Sequence, residues 1–371
     1  MKEKYSLTIR KESSICLDNK SCWAVSLPES ELRFLPKRSG KRLWLDPVEF
    51  LTVINAGIMA LWALSMVNLI CPALVKAHKR GAKTVYPDSL ILLIAVIQIA
   101  WQMSFEEVID FFRSRLLIAE WLGFPMNDFN EPRIICVSQY WERRRLLGIL
   151  PFFFFFVGMV WQLIRVGVIK GKDVVLDGSV LKAWFLKDPD AQWSFPKPWK
   201  ASTWGFKVHT LLCRWSSLPV MFLVTPANRQ ESLYAIPLLF MAVFCYGFQI
   251  LIVRADAGYF VTSILWFIRS VLKAGFIIDY NLRRQGKKKI ATFFFINQWR
   301  YHLGPRSIIE RHFAWAKRYF KLAGCCKGLS ATFQHVALTY SVMLAVALAA
   351  HRYQRPDLML SRKGVLAVKM I

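Results

Sequence analysis

Two short apolar runs in this chain end at an aspartate: VVLDGSV at Asp177 and ILIVRADAGYF at Asp256. Runs rich in Val, Ile and Leu of that length read as buried strands. A third acid, Glu310, lies in GPRSIIERHFAWAKR, a helical pattern with basic residues around it. Two carboxylates at strand ends and one on a later helix can converge on a pair of hard divalent cations. Their all-oxygen donor set suits Mg²⁺ or Mn²⁺. Such a pair can serve an in-line phosphoryl displacement.

The surrounding pattern fixes the fold class. DVVLDGSV, KVHTLLCRW and LPVMFLVTPA read as three successive strands, with Ser216–Ser217 at the second turn. ESLYAIPLLFMAVF reads as a crossover helix and QILIVRADAG as a strand beside the first. VTSILWFIRSVLKAG reads as a helix stopped by Gly275, and FIIDYN as a fifth strand. The expectation is an α/β fold, a mixed sheet flanked by helices, preceded by an all-α N-terminal region.

These phrases, in this order and spacing, resemble the DDE transposases of bacterial insertion sequences, most of all the group that includes insertion-sequence families four and five. The residues that carry the resemblance are DGSVLKAW from Asp177, WGFKVH from Trp204, LPVMFLVTPANRQES from Leu218, RADAGY from Arg254 and the helix around Glu310. The family signature Tyr-(2)-Arg-(3)-Glu-(6)-Lys meets Arg306, Glu310 and Lys317. Its Tyr position holds Leu303, with Tyr301 nearby. Arg306, Glu310 and Lys317 share one helix face. The resemblance implies an RNase H-like catalytic core in which Asp177, Asp256 and Glu310 hold two Mg²⁺ or Mn²⁺ ions. It implies that Arg306, Lys317, Arg311 and Lys207 contact DNA. The implied activity is metal-dependent DNA strand cleavage and strand transfer on double-stranded element ends and target DNA, by a homodimer. An inactive relic that still binds DNA and a nuclease of the same core are the alternatives.

Charge points the same way. Fifty Lys and Arg against 24 Asp and Glu give a net charge of +26. That excess suits a binder of phosphate backbones rather than a typical metabolic enzyme. Eight cysteines occur without a C-x-x-C pair, and Cys325 and Cys326 are adjacent. Free thiols in a reducing cytoplasm account for them. MKEKYSLTIRKESS has charges but no apolar core segment, so it does not read as a signal peptide.

Residues 1–148 are expected to be helical in the main, with a mixed, polar stretch up to about 45 and a helix over about 47–80. Ser104 and Glu107 form a capping-box pattern, so a helix is predicted to start there. A turn-rich GFPMNDFNEPR separates it from ICVSQYWERRRLLG. This helix–turn–helix is either a DNA-binding module using Arg143, Arg144 and Arg145, or a small bundle with solvated arginines. Residues 149–170 are expected as an apolar linker helix, 171–350 as the catalytic domain and 351–371 as a basic tail.

Hydrophobic residues make up 55% of the chain, and mean hydropathy is +0.33. Leu51–Val75, Leu147–Ile164 around Phe152–Phe156, Tyr234–Val253 and Val336–Ala350 approach the length of a bilayer span. A polytopic membrane protein is therefore a competing reading. Core or interface burial is preferred, because strand and basic helix must share one aqueous site. Among other acids, Asp279 rivals Asp256, since it also follows an apolar run. Asp188 and Asp190 fall in a Pro- and Trp-rich loop where a mobile carboxylate makes a poor ligand. That loop, Trp184–Trp204, interleaves Trp193 and Trp199 with Lys197 and Lys200. It can hold unpaired bases or simply pack. Trp204 and His209 are expected to be packed.

Overall fold

The computed structural model describes residues 85–195, 201–279, 306–323, 326–352 and 354–361. The stretch to residue 45, the 47–80 helix, Lys197, Trp199, Lys200, Tyr301, Leu303 and most of the basic tail lie outside the described residues.

A helical layer comes first. Asp88–Ala100 (α1), Phe105–Arg113 (α2), Leu116–Trp121 (α3), Val137–Leu146 (α4) and Leu150–Arg165 (α5) precede the sheet. The capping box starts α2. Ser104 Oγ accepts the Glu107 amide at 3.1 Å, and Glu107 Oε2 accepts the Ser104 amide at 2.7 Å. One face of α2 then buries Val108, Ile109 and Phe112. Helix α1 is apolar almost all round and buried, and its one buried amide is satisfied. Gln98 Oε1 accepts from Tyr140 Oη at 2.9 Å and from Arg144 Nη1 at 2.8 Å.

Among the described residues the sheet has six strands: Asp173–Lys182 (β1), Gln192–Trp193 (β2), Trp204–Cys213 (β3), Leu218–Pro226 (β4), Ile252–Ala255 (β5) and Gly275–Ile278 (β6). β3 runs antiparallel to both β1 and β4, while β5 and β6 run parallel to β1. The main order is therefore β4-β3-β1-β5-β6, the RNase H-like arrangement, with the short β2 on the end of β3. Ser217, at φ 58°, closes the β3–β4 turn. A 3₁₀ turn (Glu231–Tyr234) and helix α6 (Ala235–Tyr246) cross from β4 to β5, stopped by Gly247 at φ 65°.

Two boundaries differ from the sequence expectation. β1 does not stop at Asp177 but runs on to Lys182, because β3 keeps pairing with it as far as Lys182↔Gly205. Gly275 does not cap a helix. Helix α7 (Thr262–Trp266) passes into a π turn at Phe267–Val271, Lys273 takes the left-handed conformation, and Gly275 opens β6.

Beyond the sheet, the described residues form two long helices, Ser307–Tyr319 (α8) and Leu329–Arg352 (α9). α9 is the one described helix long and apolar enough to cross a membrane, yet 94% of its apolar window is buried inside the fold. It packs against α1, α5 and β4. The Phe-rich α5 is likewise spent on the core: the Phe156 ring meets Phe222 of β4 edge-on at 5.0 Å and Tyr340 of α9 at 6.3 Å. Each such ring contributes about 1.5–3 kcal/mol by leaving water. Two polar groups on α9 are paired across the fold, with Tyr340 Oη 2.7 Å from Thr210 Oγ1 and His335 Nε2 2.7 Å from the Lys321 carbonyl.

Candidate metal centre

β1 and β5 are parallel neighbours in the register Val175↔Arg254. Two residues further on, where the strands part, come Asp177 and Asp256. Adjacent strands lie about 4.8 Å apart, so the register alone sets the two carboxylates side by side. The next strand out is β6, paired Ala255↔Ile278. Asp279 therefore stands beyond Asp256, two strand spacings from β1. This is why Asp256 joins Asp177 and Asp279 does not.

The third acid of the cluster is Glu231. Carboxylate oxygens of Asp177, Glu231 and Asp256 all lie within 4.8 Å of one another, and all three residues are half-buried. Glu231 follows β4, which pairs with β3 and not with β1. It reaches the site because its 3₁₀ turn packs against the turn that follows Asp256. Lys207 on β3 holds it from behind, with Nζ 3.2 Å from Glu231 Oε1 and 3.1 Å from the Arg229 carbonyl.

Two glycines make room for these carboxylates. A Cβ on Gly178 would stand 2.9 Å from Glu231 Cγ, and one on Gly258 would stand 2.9 Å from Asp256 Oδ1. Both backbone amides are used: Gly178 N–H donates to Asp177 Oδ1 and Gly258 N–H to Asp256 Oδ1, each at 2.8 Å. Burial, together with the charges of Glu231 and Asp256, pushes the Asp177 carboxyl up to about 7. The Gly178 amide and Arg306 pull the other way. Burial first, and then the charges of Glu231, Asp177 and Asp256, hold the Tyr259 phenol well above its ordinary range. Three oxygen donors, half-buried and mutually repelling, fit a hard divalent cation.

Glu310 is not one of the three clustered acids. It lies on the first turn of α8 with its side chain 58% exposed, 3.1 Å from Arg306 Nη2. α8 nevertheless flanks the site. Arg306 is close enough to act on Asp177, and Lys317 Nζ donates to the Val180 carbonyl of β1 at 3.0 Å. Arg311 is exposed on the same helix. Lys207, expected at the DNA, has only 11% of its side chain exposed and serves Glu231.

The three arginines of α4 divide. Arg144 is buried, bonded to Gln98 and set over the Phe105 ring. Arg143 pairs with Asp88 and donates to the Tyr86 carbonyl at 3.3 Å. Arg145 is exposed, over the Trp141 ring. Arg144 is buried and Arg143 half-buried because α4 packs on α1 and α2.

His209 is packed, as expected. Its Nε2 meets Thr225 Oγ1 at 2.9 Å, its ring stacks on Tyr234, and burial with the nearby Lys207 charge pushes it down to about 3. Asp188 and Asp190 are both bonded. Asp188 Oδ2 accepts the Gly328 amide at 2.7 Å and Asp190 Oδ2 the Leu329 amide at 2.9 Å, so both cap α9 from outside the helix. Asp173 is also structural, held by Arg254 Nε at 2.9 Å and Arg214 Nη1 at 2.9 Å.

Residues 169–344 match the family model described as "Transposase DDE domain". No curated protein matches the chain. Among solved structures, the cryo-EM structure of a piggyBac transposase synaptic complex with hairpin DNA is similar over 91% of this chain and 85% of that chain. The identity is 9% and the TM-score 0.37. The matched segment is the one that carries β1 to β6, α8 and the clustered carboxylates, so residues 169–344 form a transposase DDE domain.

Proposed function

We propose that the chain cuts DNA at the ends of an insertion sequence and joins those ends to target DNA, using two Mg²⁺ or Mn²⁺ ions at one site. The observation that carries this reading is the carboxylate cluster of Asp177, Glu231 and Asp256 on an RNase H-like sheet, in a chain of net charge +26. Asp177 and Asp256 supply the floor of the metal site and Glu231 its third wall. Glu310 completes it from α8 when its exposed ion pair with Arg306 opens. Such i,i+4 pairs contribute only about 0.3–0.5 kcal/mol, so a DNA phosphate can take Arg306 at little cost.

Bound there, two divalent cations supply Lewis acidity to the attacking and leaving oxygens of an in-line displacement. The chain's own residues do the rest. Gly178 and Gly258 let the carboxylates approach, and their amides fix two of them. Arg306 and Lys317 offer positive charge along β1, and Arg311 and Arg145 extend it over the surface. Water attacks the phosphorus at the element's end and a 3′-hydroxyl leaves. That hydroxyl then attacks a target phosphorus, so one phosphodiester replaces another and no energy source is consumed. Joining two ends calls for a homodimer on DNA, working in the cytoplasm without stable membrane association.

The test is cleavage of a labelled element end with Mg²⁺ by the wild type and by Asp177→Asn, Glu231→Gln, Asp256→Asn and Glu310→Gln. Asp177→Asn and Asp256→Asn should retard DNA on a gel and cleave nothing. Loss of cleavage in Glu310→Gln places that residue at the metals. Wild-type binding without cleavage would identify a relic and overturn the proposal.

A further inference from the structure

The hairpin that leaves β1 presents an unusual surface. Trp184, Leu186, Trp193 and Phe195 are 63%, 74%, 54% and 78% exposed, with Phe185 exposed between them. Large apolar side chains left in water at this density mark a binding surface. They are also linked. The Trp184 and Phe185 rings meet edge-on at 6.2 Å. The Phe185 carbonyl accepts the Trp204 indole N–H at 3.0 Å, and Trp204 packs on Trp193 at 5.5 Å.

The hairpin is held in place. Its two acids, Asp188 and Asp190, are tied to the start of α9. Ser194 and Thr203 join its two arms at 2.8 and 2.9 Å. Asp188 is buried and Asp190 is bonded at the helix start, and three cations border the patch. Lys182 and Lys187 are exposed, and Lys327 Nζ lies 5.7 Å from the centre of the Phe185 ring. Aromatic faces bordered by lysines suit unpaired nucleic acid, whose bases stack on rings while its phosphates meet the cations. The position fits as well. From Asp177 to Lys182 is five residues of strand, roughly 17 Å, so the hairpin stands within a few nucleotides' reach of the carboxylates.

We propose that this hairpin stacks unpaired bases of DNA engaged at the carboxylates, a short distance along the strand from the phosphate being cut. The inference rests on the DNA transposase reading and adds single-stranded DNA to its ligands. A protein partner or a lipid surface on the same patch would not distinguish single strands from duplex.

The test compares the full chain with Trp184→Ala/Phe195→Ala. Affinity is measured for a single-stranded oligonucleotide of about twelve residues and for a duplex of equal length, without divalent metal. The double variant should lose about 5- to 100-fold on the single strand while its duplex affinity stays unchanged. Trp184→Tyr/Phe195→Tyr should keep the single-strand affinity, which separates stacking from folding. Three results overturn the inference alone: a double-alanine variant that binds the single strand as tightly as wild type, one that loses single strand and duplex equally, or a tyrosine variant no better than alanine. A wild type that binds neither DNA would instead sink the transposase reading.

Discussion

Replacing Asp177 by Asn tests the electrostatics of the metal centre directly. The change keeps the side chain's shape and the Oδ1 that accepts the Gly178 amide, and removes one charge from the cluster. Without metal, burial and the neighbouring acids raise the Asp177 carboxyl from 3.8 to about 7. A carboxyl raised on folding favours the folded state below its unfolded value, and that support is lost as pH rises through the folded value. From those two values the full loss is about 4 kcal/mol at pH 8, of which about 1.7 kcal/mol has gone by pH 5. Water reaching the half-buried group reduces this. In EDTA, Asp177→Asn should therefore be more stable than wild type at pH 8, by about 1–2.5 kcal/mol more than at pH 5. Mg²⁺ or Mn²⁺ at about 100 times its dissociation constant should stabilise wild type by about 2.7 kcal/mol and the variant much less. Urea denaturation at the two pH values, with and without metal, measures all of this. A stability difference independent of pH, or equal stabilisation of both proteins by metal, would refute the reasoning.

Three further outcomes follow from named contacts. Gly258→Ala would place a methyl 2.9 Å from Asp256 Oδ1; a displaced ligand should lower cleavage about 100-fold, with a small change in thermal midpoint. Asp173→Asn removes the carboxylate between Arg254 and Arg214 and should cost about 3–5 kcal/mol by urea denaturation, whether or not DNA is bound. A fragment beginning at Lys170 loses α5 and uncovers Phe222 and Tyr340, so it should aggregate on expression while the full chain is extracted without detergent; a well-behaved, monodisperse fragment would show that α5 is dispensable to the core.

Much of the site was legible in the chain because it depends on local pattern. The apolar runs before Asp177 and Asp256 announce adjacent strands. The acid–glycine pairing at Asp177–Gly178 and the RADAGY turn mark places where backbone and carboxylate come close. Ser104 with Glu107 announces α2, since a capping box closes within one turn of chain. Core burial, preferred for the apolar stretch at Val336–Ala350, is where α9 lies.

What escaped depends on residues distant in sequence. Glu231 reaches the carboxylate cluster because a turn after β4 folds back over β3, and nothing in NRQES signals that return. Arg144 was expected either at DNA or in solvent within ERRR, yet α4 packs so that its guanidinium finds Gln98 inside the core. Asp188 and Asp190 looked loose in a Pro-rich loop, yet the exposed amides at the start of α9 claim both. The sequence by itself determined the elements, their order and the two aspartates, because periodicity and turn chemistry act over a few residues. Only the tertiary structure decided which third carboxylate stands beside them and which cations remain for DNA, because pairing across the fold satisfies buried charge first.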